Sequence, residues 1–445
     1  MNIILLSGGS GKRLWPLSNE VRSKQFLKIF KKEDGSHESM VQRMYRMLKN
    51  VDPECNVTFA TSESQVNGIR TQFGDGVGIS IEPCRRDTFP AIALAAAYLK
   101  DKTGVDESEP VVVCPVDPYV DEDYFRALER LSTLAEENRA NLNLMGIEPT
   151  YPSEKYGYVI PKTTDAVSSV ESFKEKPDVP TAEKYIAQGA LWNGGVFAFK
   201  LSYLLNKAHE LIDFRDYNDL FFKYDTLTRI SFDYAVVEKE VSISVLRFSG
   251  QWKDLGTWNT LTEAMSDPVS GNAVAGECEN THVINELQIP LVALGVKNLV
   301  IAATPDGILV TDKASSDKLK SYVSDARPMY EKRIWGEYQV LEYNKNADGH
   351  NSLMKHLIIK PGQHISYQIH RHRSEIWTIV DGTGIVIIDD EVQKVEPGSA
   401  VYIKAGHKHA VKADHVEPLH IMEVQTGDEL TEEDIERLDF DWSKY

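Results

Sequence analysis

At 445 residues the chain exceeds what one ordinary hydrophobic core supports, so two or three domains are expected. Apolar residues at 42% and charged residues at 26% describe an ordinary globular protein, and no apolar run is long enough to cross a bilayer. A formal charge of −18 excludes general affinity for nucleic acid or an anionic membrane, so an anionic substrate has to be held by a local basic cluster. The opening MNIILLSGG lacks a basic leader and is too short in apolar residues for a signal peptide. Cys55, Cys84, Cys114 and Cys278 are scattered without CxxC spacing. Both features lead to the expectation of a reduced, cytoplasmic location.

Three regions separate by pattern. Residues 1–267 alternate short apolar runs with helical stretches, which predicts a Rossmann-like α/β domain with a mostly parallel sheet. IILLS (3–7), VTFATS (57–62), VGISIEP (77–83), PVVVCPVD (110–117) and LNLMGI (142–147) read as strands. SMVQRMYRMLKN (39–50), TFPAIALAAAYLK (88–100) and DYFRALERLSTLAEEN (123–138) have helical spacing, with Asp87 and Thr88 as caps ahead of Pro90. Residues 268–328 form a small β-rich connector with HVIN, LVALGV, LVIAAT and GILVTD as strands, and DKASSDKLKSYV as a closing helix. Residues 329–445 read as strands divided by Gly-containing turns, which suggests a small barrel or sandwich.

The segment Leu6-Ser7-Gly8-Gly9-Ser10-Gly11-Lys12-Arg13 directly follows the first strand. A glycine turn at a strand's carboxy end lets backbone N–H groups approach a nucleotide without Cβ interference, while Arg13 and Lys24 supply charge for phosphates. Neither the dinucleotide GxGxxG nor the P-loop pattern is present, and a lone glycine turn is most often structural.

GGSGKRLWPLSNEVRSKQFL resembles the signature of sugar-phosphate nucleotidyltransferases, mannose-1-phosphate guanylyltransferases in particular, with its GGxGxRLxPL and PKQF-like elements. Ser23 stands where proline is usual, and the lysine is kept. The resemblance makes Arg13 and Lys24 the triphosphate-binding and catalytic cations. Glu82 to Ile92 is similar to the family's EPxxRNTAPAI segment, which contacts base and ribose. It gives Glu82, Arg86, Asp87 and Thr88, beside Leu6, Gly8, Gly9, Ser10, Gly11, Lys12 and Arg13, as nucleotide-binding positions. Asp87 and Phe89 replace the usual Asn and Ala, and Arg85 and Arg86 read equally well as ion pairs on a solvated face. Val116-Asp117-Pro118 is similar to the element whose aspartate binds Mg²⁺, and Trp252 to Trp258 resembles WxDvGSW with the second metal aspartate, Asp254. The Tyr156-Gly157-Tyr158, Phe173 to Pro177, Trp192 to Gly195 and Asp233-Tyr234-Ala235 segments resemble sugar-binding elements. Gly157, Glu175, Lys176 and Asn193 are carried over as the sugar site.

The residue types suit the chemistry. Nucleotidyl transfer needs positioning and charge stabilisation rather than a covalent nucleophile, and Mg²⁺ prefers carboxylate and phosphate oxygens. The substrates so implied are GTP and mannose 1-phosphate.

Downstream, Gly362, Gln368, His370, Glu375 and Gly382, then Gly398, Gly406 and His409, resemble the two cupin motifs. Register assigns Gln368, His370, Glu375 and His409 as ligands for Zn²⁺ or another divalent metal; starting instead at His370 and His372 leaves too short a gap to Glu375. SYQIHRHRSEIW is similar to the SLQxHxHRxEHW motif of type II phosphomannose isomerases, which are fused to guanylyltransferases in this order, and Arg333-Ile334-Trp335-Gly336 resembles their RPWG entry. Arg373 is then a candidate to neutralise the 6-phosphate, with His364, His372 and His407 left as surface or supporting residues. Ile376, Lys404 and Ala413 depart from the pattern, as does the ending DIERLDFDWSKY. Two outcomes stay open: an active isomerase, or a structural or regulatory cupin, as part of a homodimer. A transferase for another hexose, heptose or NTP, and a non-catalytic sugar-nucleotide sensor, are the competing readings. Retention of Arg13, Lys24, Asp117 and Asp254 weighs against the sensor.

Overall fold

The computed structural model describes residues 1–9, 12–19, 21–323 and 327–444. A nine-stranded sheet organises the first region. Its strands run, edge to edge, Gly78–Glu82, Asn56–Ser62, Asn2–Leu6, Pro110–Pro115, Leu191–Lys200, Leu142–Ile147, Ile243–Phe248, Val167–Lys174 and Tyr158–Pro161. The expected parallel order holds from Gly78–Glu82 to Pro110–Pro115 and again between Leu142–Ile147 and Ile243–Phe248. The sheet is nevertheless mixed: Leu191–Lys200 lies antiparallel to all three strands it pairs with, and Val167–Lys174 antiparallel to both of its own.

Alternation along the strands explains the layers. Val112 and Cys114 point with Ile3 and Leu5 into one core, facing the helices Met40–Val51 and Glu122–Glu136. Val111 and Val113 point with Ile4 into the other, facing Thr88–Tyr98 and Leu201–Leu211. Strands covered on both faces have no polar side to show, hence the unbroken VVVC. Helix starts follow their caps: Ser39 forms a capping box with Gln42, and Asp121 accepts from the Tyr124 N–H.

The connector is a short parallel β-solenoid. Val269–Gly271, His282–Asn285 and Leu299–Thr304 stack in parallel, as do Ala273–Gly276 and Leu291–Leu294. Its predicted closing helix is a 3₁₀ segment, Lys313–Ser321. The solenoid shares a core with the first region: Ile284, Val300, Ala302 and Leu309 pack with Leu14, Leu17, Leu27 and Trp258.

The C-terminal region is two facing antiparallel sheets of six and five strands around Trp377, Ile379, Val386, Val411 and Ile421. The strand Asn351–Ile359 alternates buried and half-buried residues, as a one-sided sheet requires. No helix of the described residues is long and apolar enough to cross a membrane.

Candidate active site and buried metal pocket

The glycine turn is braced from outside itself. Gln25 Nε2 donates to the Ser7 carbonyl (2.6 Å), while Gln65 Nε2 (2.8 Å) and Ser23 Oγ (3.1 Å) both donate to the Gly9 carbonyl. These bonds satisfy the Ser7 and Gly9 carbonyls. Ser10 and Gly11 lie outside the described residues. Leu6 ends the first strand, and Lys12 and Arg13 enter a 3₁₀ turn, with Arg13 exposed.

Asp117 follows the Pro110–Pro115 strand, and the short strand Trp252–Asp254 pairs with Pro118–Val120 so that Asp254 lies opposite Pro118. This pairing brings together two aspartates 137 positions apart. Lys24 Nζ stands between them, 2.8 Å from Asp117 Oδ2 and 3.8 Å from Asp254 Oδ1. Burial pushes the Asp117 carboxyl up, but Lys24 and Arg13 outweigh it and hold this group below its ordinary value. At Asp254 burial and the neighbouring Asp117 charge win over Lys24, and the carboxyl is raised. Two carboxylates so arranged fit a hard, oxygen-preferring cation such as Mg²⁺.

The residues expected at the sugar also converge. Asn193 N–H donates to the Gly157 carbonyl (2.8 Å), and a Cβ at Gly157 would sit 2.5 Å from Glu175 Oε2, so only glycine leaves that carboxylate in place. Lys176 pairs with Glu175 from an exposed position. Asn193 Nδ2 donates to Asp233 Oδ1 (2.6 Å). Burial and then the Glu175 charge push Asp233 up to about 6. Its folded pKa is above the unfolded one, so its contribution to stability is present below about pH 4 and lost as pH rises through about 6. The KM for a sugar phosphate is expected to fall as pH rises through that same window, because Asp233 then becomes a full acceptor. Asp233→Asn should flatten that profile in steady-state kinetics; an unchanged inflection would place the titration elsewhere.

On the nucleotide side, Glu82 ends its strand with its carboxylate beside Gly8. Asp87 takes a positive φ of 72° and accepts from the Thr88 N–H at the start of Thr88–Tyr98. Thr88 Oγ1 accepts from the Phe232 N–H, and Arg86 donates to the Asp225 carbonyl. Arg86 is therefore a half-buried bridge to the 217–230 segment.

In the C-terminal domain, nitrogens of His370 and His409 and an oxygen of Glu375 lie within 4.8 Å of one another. Gln368 Nε2 is 3.2 Å from His370 Nε2. His370 Nδ1 faces the Asp434 carbonyl and His409 Nδ1 faces the His407 carbonyl, which turns both Nε2 atoms inward. His409 Nε2 is buried without a hydrogen-bond partner among the described residues, an orphaned lone pair of the kind a metal takes up. Arg373, expected at a phosphate, lies inside this pocket. Its side chain is buried, donating from Nε to Glu375 Oε1 (3.1 Å) and from Nη1 to the Thr431 carbonyl (2.6 Å), with Nη2 3.3 Å from His370 Nε2. A guanidinium so held pairs with Glu375.

Residues 2–270 match the family described as Nucleotidyl transferase, and residues 324–440 match Mannose-6-phosphate isomerase C-terminal. The chain is 33% identical to the xanthan biosynthesis protein XanB of Xanthomonas campestris, covering 98% of this chain and 97% of that one. It is 31% identical to a mannose-1-phosphate guanylyltransferase of Escherichia coli over the same shares. The chain belongs to the mannose-1-phosphate guanylyltransferase family. A solved structure from Thermus thermophilus, titled mannose-1-phosphate geranyltransferase, superimposes with a TM-score of 0.59 at 30% identity, over 72% of this chain and 97% of that one.

Within this guanylyltransferase fold the site has further contacts, among them Tyr224, which no motif contains. Tyr224 Oη donates to Glu82 Oε2 (2.8 Å). Tyr156 packs between Trp192 (4.9 Å, tilted) and Trp252 (5.5 Å, edge-on), an aromatic wall reaching the Asp254 strand. Behind the C-terminal ligands, Trp377 Nε1 and Gln425 Nε2 each bridge Glu375 to Glu423.

Proposed function

We propose that this chain makes GDP-mannose and pyrophosphate from GTP and mannose 1-phosphate. The observation that carries the reading is the meeting of Asp117, Asp254 and Lys24 beside the glycine turn. A phosphate oxygen of the sugar 1-phosphate attacks the α-phosphorus in line; the bond to the β-phosphate oxygen breaks, and pyrophosphate leaves with the electron pair. Arg13 and Lys24 neutralise the triphosphate. Glu82, Asp87 and Thr88 face base and ribose, while Gly157, Glu175, Lys176 and Asn193 seat the sugar. Asp117 and Asp254 would hold Mg²⁺, which supplies charge neutralisation at the phosphates. Pyrophosphate release with mannose, glucose and heptose 1-phosphates against GTP, ATP, UTP and dTTP tests this. The largest kcat/KM is expected for mannose 1-phosphate with GTP, and no release with any pair would overturn it.

For the C-terminal domain the burial of its site favours a structural metal over an isomerase centre. Gln368, His370, Glu375 and His409 are all buried, and a catalytic metal keeps an open coordination position. The segment 431–438 closes over them: Asp434 faces His370, and strand Glu436–Arg437 pairs with Gln368–Ile369. Removing bound metal with a chelator should lower the melting temperature, while mannose 6-phosphate gives no fructose 6-phosphate. Isomerisation by the metal-loaded protein would reverse that reading. The four free cysteines and the charge of −18 support a cytoplasmic setting, and a homodimer, checked by sedimentation, completes the proposal.

A further inference from the structure

Glu82 is buried at 8% exposure, and its two carboxylate oxygens have different surroundings. Oε2 accepts from Tyr224 Oη at 2.8 Å. Oε1 accepts no hydrogen bond from the described residues and faces the nucleotide turn, where a Cβ on Gly8 would lie 3.2 Å from it. Tyr224 is fully buried, in the segment that follows helix Tyr217–Lys223, 142 positions from Glu82 in the chain. The segment is fixed to the nucleotide side at two further points, Arg86 to the Asp225 carbonyl and Ile230 N–H to the Arg86 carbonyl.

We propose that Tyr224 is a positioning residue for base selection: its hydroxyl fixes the Glu82 carboxylate so that Oε1 is presented as an acceptor to the base. The proposal rests on the guanylyltransferase reading. Guanine offers the N1–H and N2–H donors of its Watson–Crick edge, and a carboxylate is acceptor-only when ionised. Adenine offers an acceptor at N1, which a fixed carboxylate oxygen repels. A Glu82 carboxyl that can turn, or take up a proton, loses that distinction. A site built to pair a substrate N–H rejects analogues lacking it far more strongly than a merely apolar pocket does. Among the described residues the Tyr224 hydroxyl bonds to Glu82, so its effect is expected at the base.

The test compares kcat/KM for GTP, ITP and ATP in the wild-type chain, in Tyr224→Phe and in Glu82→Gln, at saturating mannose 1-phosphate. ITP keeps the N1–H and lacks the N2 amine, so it separates the two donors. Tyr224→Phe keeps the buried ring, and a melting temperature within a few degrees of wild type confirms that the fold holds. The expected result is a loss of about tenfold in kcat/KM for GTP, carried by KM, with the GTP-to-ATP ratio narrowing by at least that factor. Glu82→Gln is expected to narrow the ratio in the same direction. A GTP-to-ATP ratio unchanged within twofold in Tyr224→Phe, or a wild-type chain that is active yet indifferent to the base, overturns the proposal. No activity of the wild type with any nucleotide overturns instead the transferase reading beneath it.

Discussion

Asp254→Asn is expected to lower kcat for pyrophosphate release by about 10³-fold, with a higher Mg²⁺ requirement and little change in melting temperature. The side chain of Asp254 is 36% exposed, so the fold loses little when its charge goes. The site loses half of its anionic pair. Lys24 would then lie against Asp117 alone, at 2.8 Å, and the pair's fit to a divalent cation would be gone. Asp117→Asn is expected to act in the same direction, because its carboxylate is the one that Lys24 and Arg13 keep ionised. Steady-state kinetics across a Mg²⁺ titration check both variants. A kcat within tenfold of wild type at saturating Mg²⁺ would remove Asp254 from the reaction.

Glu375→Ala is expected to destabilise the C-terminal domain by about 3–5 kcal/mol. Glu375 is 1% exposed and accepts from Arg373, Trp377 and Gln425, each at 3.1 Å, with His370 3.2 Å away. Its loss leaves the buried Arg373 guanidinium with Asp434, at 3.9 Å, as its remaining counter-charge. The penalty is therefore that of a poorly paired buried ion rather than of one missing bond. A drop of more than about 10 °C in the domain's thermal transition is the measurable form, given how steeply Tm responds in domains near this size. Glu375→Gln should fall between the two, keeping shape without charge. A shift under about 2 °C for Glu375→Ala would show that Thr431 and Asp434 alone can hold the guanidinium.

Much of this fold is legible in the sequence because it is local. The runs at 2–6, 56–62 and 110–115 carry their own apolar pattern, and Ser39 and Asp121 announce the helices that follow them. Strand direction is not local. LWNGGVFAFK has the composition of a buried strand whichever way it runs, so the antiparallel placement of Leu191–Lys200 has no mark in its residues. The parallel coils of the solenoid were likewise hidden, since each of their strands pairs with another a dozen or more positions away.

The same distinction governs the site. Gly157, Glu175 and Asn193 stand within recognisable motifs, whereas a tyrosine in a short helical stretch carries no sign that it meets Glu82. Arg373 is a different case, because its parity was readable. It shares the buried side of strand Arg373–Asp381 with Glu375 and Trp377, two and four positions on, so an inward guanidinium follows from the period of a strand.

The core that joins Leu14, Leu17 and Trp258 to Ile284, Val300 and Leu309 bears on where this chain can be divided. The arm that leaves the glycine turn leans on the solenoid directly. Trp15 lies where any side chain at Gly307 would go, Thr304 donates to the Pro16 carbonyl, and Asn19 donates to Asp306. A gene shortened after residue 267, where composition changes, would expose one flank of this arm to water and unseat the segment that carries Lys24. The catalytic half is therefore not a portable module at that cut, and recombination between relatives should preserve function only when the solenoid travels with the turn it supports.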